Sequence, residues 1–390
     1  MEWVEKKSSE LYVSSSGLSK SSDQFGYGYP FLSYKDVFNN YYAPDKLSTL
    51  VNSTEKDRMK CSVKQGDVFL TRTSETTDEL GMSCVALHDY VNATFNGFTK
   101  RLRPLTDEIE PKYAAYYFRS PYFRSQCISL ASLITRASLN DGMIRRLKIR
   151  YPLNRKVQEK IGEILYTYDT LIENNTKRIR LLEKMAENLY KEWFVRFRFP
   201  GHENVEMENG LPKGWKYVNF SNLSPILTGK KDANYASQNG KYKFFTCSKN
   251  DLVADNYSFD CFAIILAGNG DLNVKLYDGQ FEAYQRTYVL SPYDVEHIYV
   301  SYYTIQSELD RLLVGAAGAV IKFLTKGMIE KIKVLLPTND VLVRFNSIQE
   351  HNYRLRQNLK RQNSLLARQR DLLLPRLMSG KLEVKEELLE

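Results

Sequence analysis

The feature that most restricts the fold is a stripe of residues between positions 155 and 193. Ile161, Leu165, Tyr168, Ile172, Asn175, Ile179, Leu182, Ala186, Leu189 and Trp193 succeed one another in alternating steps of four and three. That spacing lines one seam of a paired helix. Pro152 stands just ahead of it, and proline is tolerated at a helix start. Some 40 residues at about 1.5 Å each make a helix of roughly 60 Å, more than one small core can cover. A spacer that pairs with another helix is favoured over a surface helix folded back on its own domain.

A second stripe supplies the partner. Phe345, Ile348, Asn352, Leu355, Leu359, Gln362, Leu366, Gln369, Leu373 and Leu377 repeat the spacing behind Pro337. The approaches match as well: Gly142-Met143-Ile144-Arg145-Arg146-Leu147-Lys148-Ile149 parallels Gly327-Met328-Ile329-Glu330-Lys331-Ile332-Lys333-Val334. Trp3-Val4 corresponds to Trp215-Lys216, and Tyr29-Pro30-Phe31-Leu32 to Tyr242-Lys243-Phe244-Phe245. The chain is one unit written twice, with boundaries expected at 1–152 and 200–337 for the globular regions. The helices fall at 153–199 and 338–378, followed by a tail at 379–390.

Composition narrows the function. The 390 residues carry a formal charge of +9, which favours anionic partners and nucleic acid above all. Between Arg344 and Arg376 the second helix has eight basic residues against Glu350 and Asp371. Cys61, Cys84, Cys127, Cys247 and Cys261 are scattered, and His88, His202, His297 and His351 lack ligand spacing, so neither a disulfide framework nor a metal site is expected. With no long apolar run and no signal-peptide pattern, the expectation is a soluble, cytoplasmic chain.

Along the chain, short apolar runs alternate with polar turns. Residues 63–70 predict a turn and a buried strand running into the polar loop Thr71-Arg72-Thr73-Ser74, and residues 114–118 a helix behind Pro111. Tyr116, Tyr117, Phe118, Tyr122 and Phe123 make an aromatic cluster expected in the core. Lys100-Arg101-Leu102-Arg103 and Arg136 with Ser138 and Asn140 are basic spots in or beside predicted loops, where recognition residues commonly sit. Phe194, Phe197 and Phe199 are expected to cap the helix bundle, and 202–210 is a polar linker. In the second region, residues 262–267 predict a buried strand ending in Gly268-Asn269-Gly270-Asp271; Gly229-Lys230-Lys231 and Gln285-Arg286-Thr287 fall at turns. The stretch 315–319, Gly-Ala-Ala-Gly-Ala, suits close helix packing or approach to a phosphate.

Catalytic signatures are missing. There is no Walker loop and no Asn-Pro-Pro-aromatic run of an amino-methyltransferase. Glu110-Pro111-Lys112 has the spacing of a nuclease motif without the second placed carboxylate that a metal would need. A non-catalytic chain is expected.

These phrases, in this order, resemble the specificity subunit of Type I restriction-modification systems. The resemblance rests on Ile149-Arg150-Tyr151-Pro152-Leu153 leading to Gln158-Glu159-Lys160-Ile161, on Leu189-Tyr190-Lys191-Glu192-Trp193-Phe194, on Leu211-Pro212-Lys213-Gly214-Trp215, and on Leu373-Leu374-Pro375-Arg376-Leu377-Met378-Ser379-Gly380. The second helix departs from it, with Pro337-Thr338-Asn339-Asp340 lacking the usual glutamine. The resemblance implies an α+β fold with two target-recognition domains in tandem repeat, separated by two long antiparallel coiled-coil helices with pseudo-two-fold symmetry. It implies double-stranded DNA as ligand, read as a bipartite target. Two modification (methyltransferase) subunits and restriction (motor-nuclease) subunits are the implied partners. S-adenosylmethionine, ATP and magnesium are used by those partners, and no cofactor by this chain. The aromatic helix end around Trp193 and Phe194 is the expected partner contact.

On that reading Arg72, Arg101, Arg103 and Arg136 in the first region and Lys230, Lys231, Asn269 and Arg286 in the second are the expected DNA contacts. Arg72, Arg136 and Arg286 suit guanine, and Asn269 suits adenine. Ile161, Leu165, Ile172, Asn175, Ile179, Leu182 and Leu189 with Leu355, Leu359, Leu366 and Leu373 form the expected helix interface, Asn175 and Asn352 setting its register. Three alternatives stand beside it: the recognition chain of a Type IIB-like system, an enzyme in its own right, and a coiled-coil scaffold that never touches DNA.

Overall fold

The computed structural model describes residues 2–130, 132–133, 137–315 and 323–384. They divide into two compact units, Met1–Thr176 with Lys360–Glu390, and Lys177–Leu359. Each unit therefore holds one globular region together with a segment of both long helices, Arg155–Tyr190 and Asn339–Ser379, a division the expected domain boundaries did not anticipate.

In the first unit the mixed sheet runs Tyr12–Ser16, Thr99–Pro104, Val68–Thr71, Ser83–Val85, all antiparallel. Thr94–Phe95, Phe25–Leu32 and Thr49–Val51 form a separate three-stranded sheet, in which Phe25–Leu32 pairs parallel with Thr94–Phe95 and antiparallel with Thr49–Val51. The second unit has one six-stranded sheet, ordered Ile226–Thr228, Thr287–Leu290, Phe259–Ala267, Val274–Ala283, Tyr242–Phe245, Leu252–Ala254. Its single parallel pair is Tyr242–Phe245 with Val274–Ala283.

The two orders are one order. Thr71 pairs with Thr99 as Ala267 pairs with Thr287, and Ser16 pairs with Lys100 as Thr228 pairs with Tyr288. Phe31 lies opposite Thr49 and Thr94, while Phe244 lies opposite Leu252 and Glu282. The strand that is continuous as Val274–Ala283 is broken in the first unit into Ser83–Val85 and Thr94–Phe95. The internal repeat visible in sequence thus holds at the level of strand register, including the matched Phe31-Leu32 and Phe244-Phe245.

The entry to each long helix is also built twice. Trp3–Lys7 pairs antiparallel with Lys148–Pro152, and Lys216–Asn219 with Lys333–Leu336, so that Val4 faces Tyr151 as Lys216 faces Leu336. Each closing strand follows a short helix, Asp141–Arg146 or Lys326–Glu330, whose preceding side chain, Asn140 or Thr325, accepts the backbone N–H three residues on. That is the ordinary N-cap exchange, and it assigns Asn140 a structural task.

Within each unit the helix segments run antiparallel, as the ladder of contacts shows. In the first, Arg370 pairs with Asp169, the Asn363 Nδ2 donates to the Ile172 carbonyl (3.3 Å), and the Asn175 Nδ2 donates to Gln362 (3.4 Å). In the second, Asn352 donates to the Leu182 carbonyl (3.0 Å) and Gln349 to the Ala186 carbonyl (3.3 Å), with Arg356 beside Glu183. Ile161, Leu165, Asn175, Ile179 and Leu359 are buried, and Ile172, Leu182, Leu189, Leu355, Leu366 and Leu373 are half-buried.

The second stripe needs one correction. Ile348 is exposed and Gln362 and Gln369 face outward, whereas Gln349, Arg356, Asn363 and Arg370, each one residue on, lie in the seam. Apolar spacing misplaced the register because half of this seam is polar. Its side chains compensate by donating to main-chain carbonyls or pairing with carboxylates, as buried polar groups must.

The cores are aromatic. Tyr113, Tyr116, Tyr117, Phe118 and Phe123 are buried against Ile161 and Leu165, with Tyr122 left exposed. Phe194 and Phe199 pack on Trp215, and Phe194 also meets Phe345 edge-on at 4.8 Å. The expected cap thus exists, but Trp193 and Phe194 are only 5% and 4% exposed. The partner contact expected there has no surface to use. Residues 207–212, read as linker, form a hairpin of Met207–Glu208 and Leu211–Pro212, turned by Asn209 and Gly210 with positive φ. Asn-Gly is a strong short-hairpin signal, and it was present in the sequence.

Candidate nucleic-acid interface

In the second unit the strand ends collect four turns at one edge of the sheet. The Gly229 N–H donates to the Thr287 carbonyl (3.2 Å), Gln285 N–H to the Lys231 carbonyl (2.9 Å), and Gly268 N–H to the Arg286 carbonyl (2.9 Å). Asn269 makes an isolated bridge with Phe323. Lys230, Lys231, Asn269 and Arg286, separated by up to 56 positions in sequence (286 − 230), are thereby brought to one edge.

Glycine makes this crowding possible. A Cβ on Gly229 would lie 1.9 Å from the Ala283 carbonyl oxygen, and one on Gly268 2.5 Å from that of Arg286. No side chain fits where the backbones approach so closely.

The electrostatics of this edge suit an anion. Lys230 and Arg286 are exposed, and among the described residues neither they nor Lys231 make an ion pair. Lys231 lies over the Tyr235 ring at 4.4 Å. Cations without carboxylate partners, displayed at turns on a rigid sheet, are the ordinary means of holding phosphate oxygens and base edges.

In the first unit the expected cations have other occupations. Lys100-Arg101-Leu102-Arg103 is an interior strand rather than a loop, and its alternation sends Arg101 and Arg103 to one face. Arg101 is 6% exposed, donates to the Ser62 carbonyl (2.6 Å), and sits over Phe95. Burial lowers the pKa of its guanidinium. Arg103 grips the fully buried Asp67 with two bonds (2.7 and 2.6 Å) and reaches the Ser62 carbonyl (3.1 Å). The bond to Asp67 raises its pKa.

Both arginines therefore hold the core together and leave the set of DNA contacts. A run of three cations in four residues looks like a surface patch until a buried carboxylate is found opposite it. Lys100 is likewise bound, to Asp141 (2.8 Å) and to Ser16 (2.8 Å).

Arg72 is half-buried; its N–H donates to the Phe98 carbonyl (3.1 Å) and its carbonyl accepts from Leu139 N–H (2.8 Å). Arg136 lies outside the described residues, as do residues 316–319 of the small-residue stretch.

Sequence reasoning overlooked Tyr34, Glu75 and Phe98. With Thr73, Ser74 and Glu79 they line a cleft of about 310 Å³ in the first unit. Nothing in local composition marks them, because they come from three separate stretches; the one signal was the turn Asn96-Gly97 ahead of an aromatic residue.

No grouping of His, Cys, Asp and Glu among the described residues is arranged to hold a metal ion. Glu110, from the nuclease-like triplet, caps the helix Pro111–Tyr117 by accepting from Tyr113 N–H (2.7 Å). No described helix is long and apolar enough to cross a membrane.

This architecture has known counterparts. Residues 2–184 match the family model for the Type I restriction modification DNA specificity domain, so this half of the chain belongs to that family, as the resemblance in its phrases implied. Over nearly its whole length the chain is similar to the Type I restriction enzyme MjaIX specificity subunit of Methanocaldococcus jannaschii, at 24% identity across 99% of this chain and 94% of that one. A shorter stretch of 128 residues is 38% identical to the Type I restriction enzyme EcoDI specificity subunit of Escherichia coli; it spans 33% of this chain and 29% of that relative. Among solved structures, the S subunit of a Type-I restriction-modification system from M. genitalium shares the fold, with a TM-score of 0.61, 15% identity and 96% coverage of both chains.

Proposed function

We propose that this chain is the DNA-recognition subunit of a Type I restriction-modification complex and reads a bipartite duplex target, one half-site per globular region. The observation that carries this reading is the duplicated sheet. Two regions share strand order and register, yet present different side chains at the same edge, Lys231, Asn269 and Arg286 in one and Leu18, Thr73 and Phe98 in the other. A repeated frame with unlike reading edges suits a target whose halves differ.

Affinity comes chiefly from cations on phosphates and specificity from a few side chains at base edges. In the second region Lys230 and Lys231 serve phosphates, Arg286 a guanine and Asn269 an adenine; in the first, Arg72 and Arg136 serve guanine. The chain itself performs no chemistry. Modification subunits bring S-adenosylmethionine and methylate adenine, and restriction subunits supply magnesium- and ATP-dependent translocation and cleavage. The complex works in the cytoplasm.

Mapping methylated adenines in genomic DNA from the source, with and without this gene, tests the reading. A gapped two-part motif that disappears with the gene is the expected result; an unchanged methylation pattern overturns it. Full-length chain assembled with its modification subunits is expected to shift duplex DNA in a salt-dependent manner.

A further inference from the structure

The register equivalence of the two sheets singles out one position in each. In the second region Arg286 stands at the tip of a turn closed by Thr287 N–H donating to the Tyr284 carbonyl (2.8 Å), and its own carbonyl accepts from Gly268 N–H (2.9 Å). In the first region Thr99 N–H donates to the Asn96 carbonyl (3.1 Å), and the carbonyl between them, that of Phe98, accepts from Arg72 N–H (3.1 Å). The neighbouring bond repeats too: Gly97 N–H donates to the Leu18 carbonyl and Gln285 N–H to the Lys231 carbonyl, both at 2.9 Å. Phe98 is the counterpart of Arg286.

The two tips are displayed alike and differ in chemistry. The Phe98 ring is 57% exposed, although an aromatic side chain is among the most favourable to bury; neither core cluster of its region includes it. It borders the cleft lined by Tyr34, Thr73, Ser74, Glu75 and Glu79. There the Tyr34 hydroxyl donates to the Thr73 carbonyl (3.2 Å) and the Ser74 hydroxyl to Glu79 (2.7 Å). Glu75 is exposed, with no ion pair among the described residues. Beside one tip there is therefore an apolar ring and a carboxylate acceptor; at the other there is a guanidinium donor.

Resting on the DNA-recognition reading above, we infer that the turn tip is the base-contacting position of both regions and that the tips impose opposite preferences. Arg286 offers paired donors to the O6 and N7 of guanine. Phe98 and Glu75 receive a base edge carrying a methyl or amino group, since a ring packs on the thymine methyl and a carboxylate accepts from the cytosine N4 amino group. The first half-site therefore contains a thymine or cytosine contact where the second contains guanine.

The test uses full-length chain assembled with its modification subunits and a duplex library in which every target position is varied, read by binding and by methyl transfer. Arg286→Ala is expected to lose about tenfold to a hundredfold of preference for guanine at one position of one half-site. Phe98→Ala relaxes one position of the other half-site, and Glu75→Gln changes that same position or its neighbour. Phe98→Arg moves that position toward guanine.

Thermal melting separates misfolding from lost recognition; since both tips are exposed, melting temperatures are expected to stay at the wild-type value. Unchanged base preference in Phe98→Ala and Arg286→Ala, with sequence-specific wild-type binding, overturns the tip assignment alone. So does a uniform loss across all sequences, which marks a phosphate contact, or a loss of subunit assembly with base preference intact. A wild-type complex that shows no sequence preference sinks the DNA-recognition reading and the tip assignment with it.

Discussion

The two globular regions answer the same folding problem with different amounts of continuity. The second lays six strands side by side in one sheet, its central strand Phe259–Ala267 ending in five buried residues, while the first interrupts the same order between Ser83–Val85 and Thr94–Phe95. Hydrogen-bond register at the turns survives the interruption. What varies is charge: the second region leaves Lys230 and Arg286 without ion-pair partners among the described residues, whereas the first consumes Lys100, Arg101 and Arg103 inside its fold. Equivalent frames thus tolerate unlike edges, because strand pairing depends on the backbone and the edge side chains bear little of the stability.

The sharpest way to break this comparison is to attack the cations. Arg103→Ala strands Asp67, which is fully buried, and removing one member of a buried pair costs roughly 3–5 kcal/mol. Arg286→Ala, at an exposed turn, is expected to stay within about 0.5 kcal/mol of wild type. Urea unfolding of the two variants distinguishes them; equal midpoints would return Arg103 to the set of surface contacts.

The helix seams give a second contrast. Asp169 and Arg370 are 19% and 16% exposed, and the Tyr116 hydroxyl also donates to Asp169. Glu183, facing Arg356 at 3.7 Å in the other unit, is 47% exposed. Asp169→Ala is therefore expected to cost about 3 kcal/mol and Glu183→Ala at most about 1 kcal/mol. Thermal melts that rank them the other way would show that the seams are not loaded as their burial implies.

Gly17 and Gly229 should behave alike. Both lie against the backbone of a crossing strand, where a Cβ would sit 2.2 Å from the Asn96 carbonyl oxygen or 1.9 Å from that of Ala283. Alanine at either site is expected to destabilise by about 1–3 kcal/mol through forced backbone movement. If one substitution is silent in chemical denaturation, the equivalence of the two turns fails there.

The smallest effect concerns acid. The hydrogen bond from Lys100 holds the Asp141 carboxyl below its ordinary value of 3.8. A carboxylate whose pKa falls on folding contributes stability above its unfolded pKa and loses it as pH drops through the folded value. Asp141 is half exposed, so the contribution is on the order of 0.5 kcal/mol. Asp141→Asn is expected to flatten the stability profile slightly below pH 4, measured by melting across pH, while leaving it unchanged near neutrality.

The α+β class, the tandem repeat, both helix starts and most of the first seam were legible because each rests on spacing. Alternating steps of four and three, a proline ahead, and repeated phrases carry their meaning without knowledge of what lies opposite. The aromatic cluster 116–123 was legible for the same reason, since so many rings in sequence have few places to go but inward. The second seam was not, because Gln349, Arg356, Asn363 and Arg370 are polar and become interior only through carbonyls and carboxylates on the other helix.

The reading edge divides along the same line. Lys230, Lys231, Asn269 and Arg286 could be picked out as polar residues at turns, and the sheet then gathered them. Arg101, Arg103 and Phe98 could not be judged from sequence: two cations went inside and an apolar ring stayed out. Whether a charge is spent on the fold or left for a ligand depends on the desolvated partner beside it, Asp67 for Arg103 and none among the described residues for Arg286. By itself the sequence determined the periodic elements and their duplication; tertiary pairing alone decided which charges remained available, because partners distant in the chain are chosen by the packing that buries them.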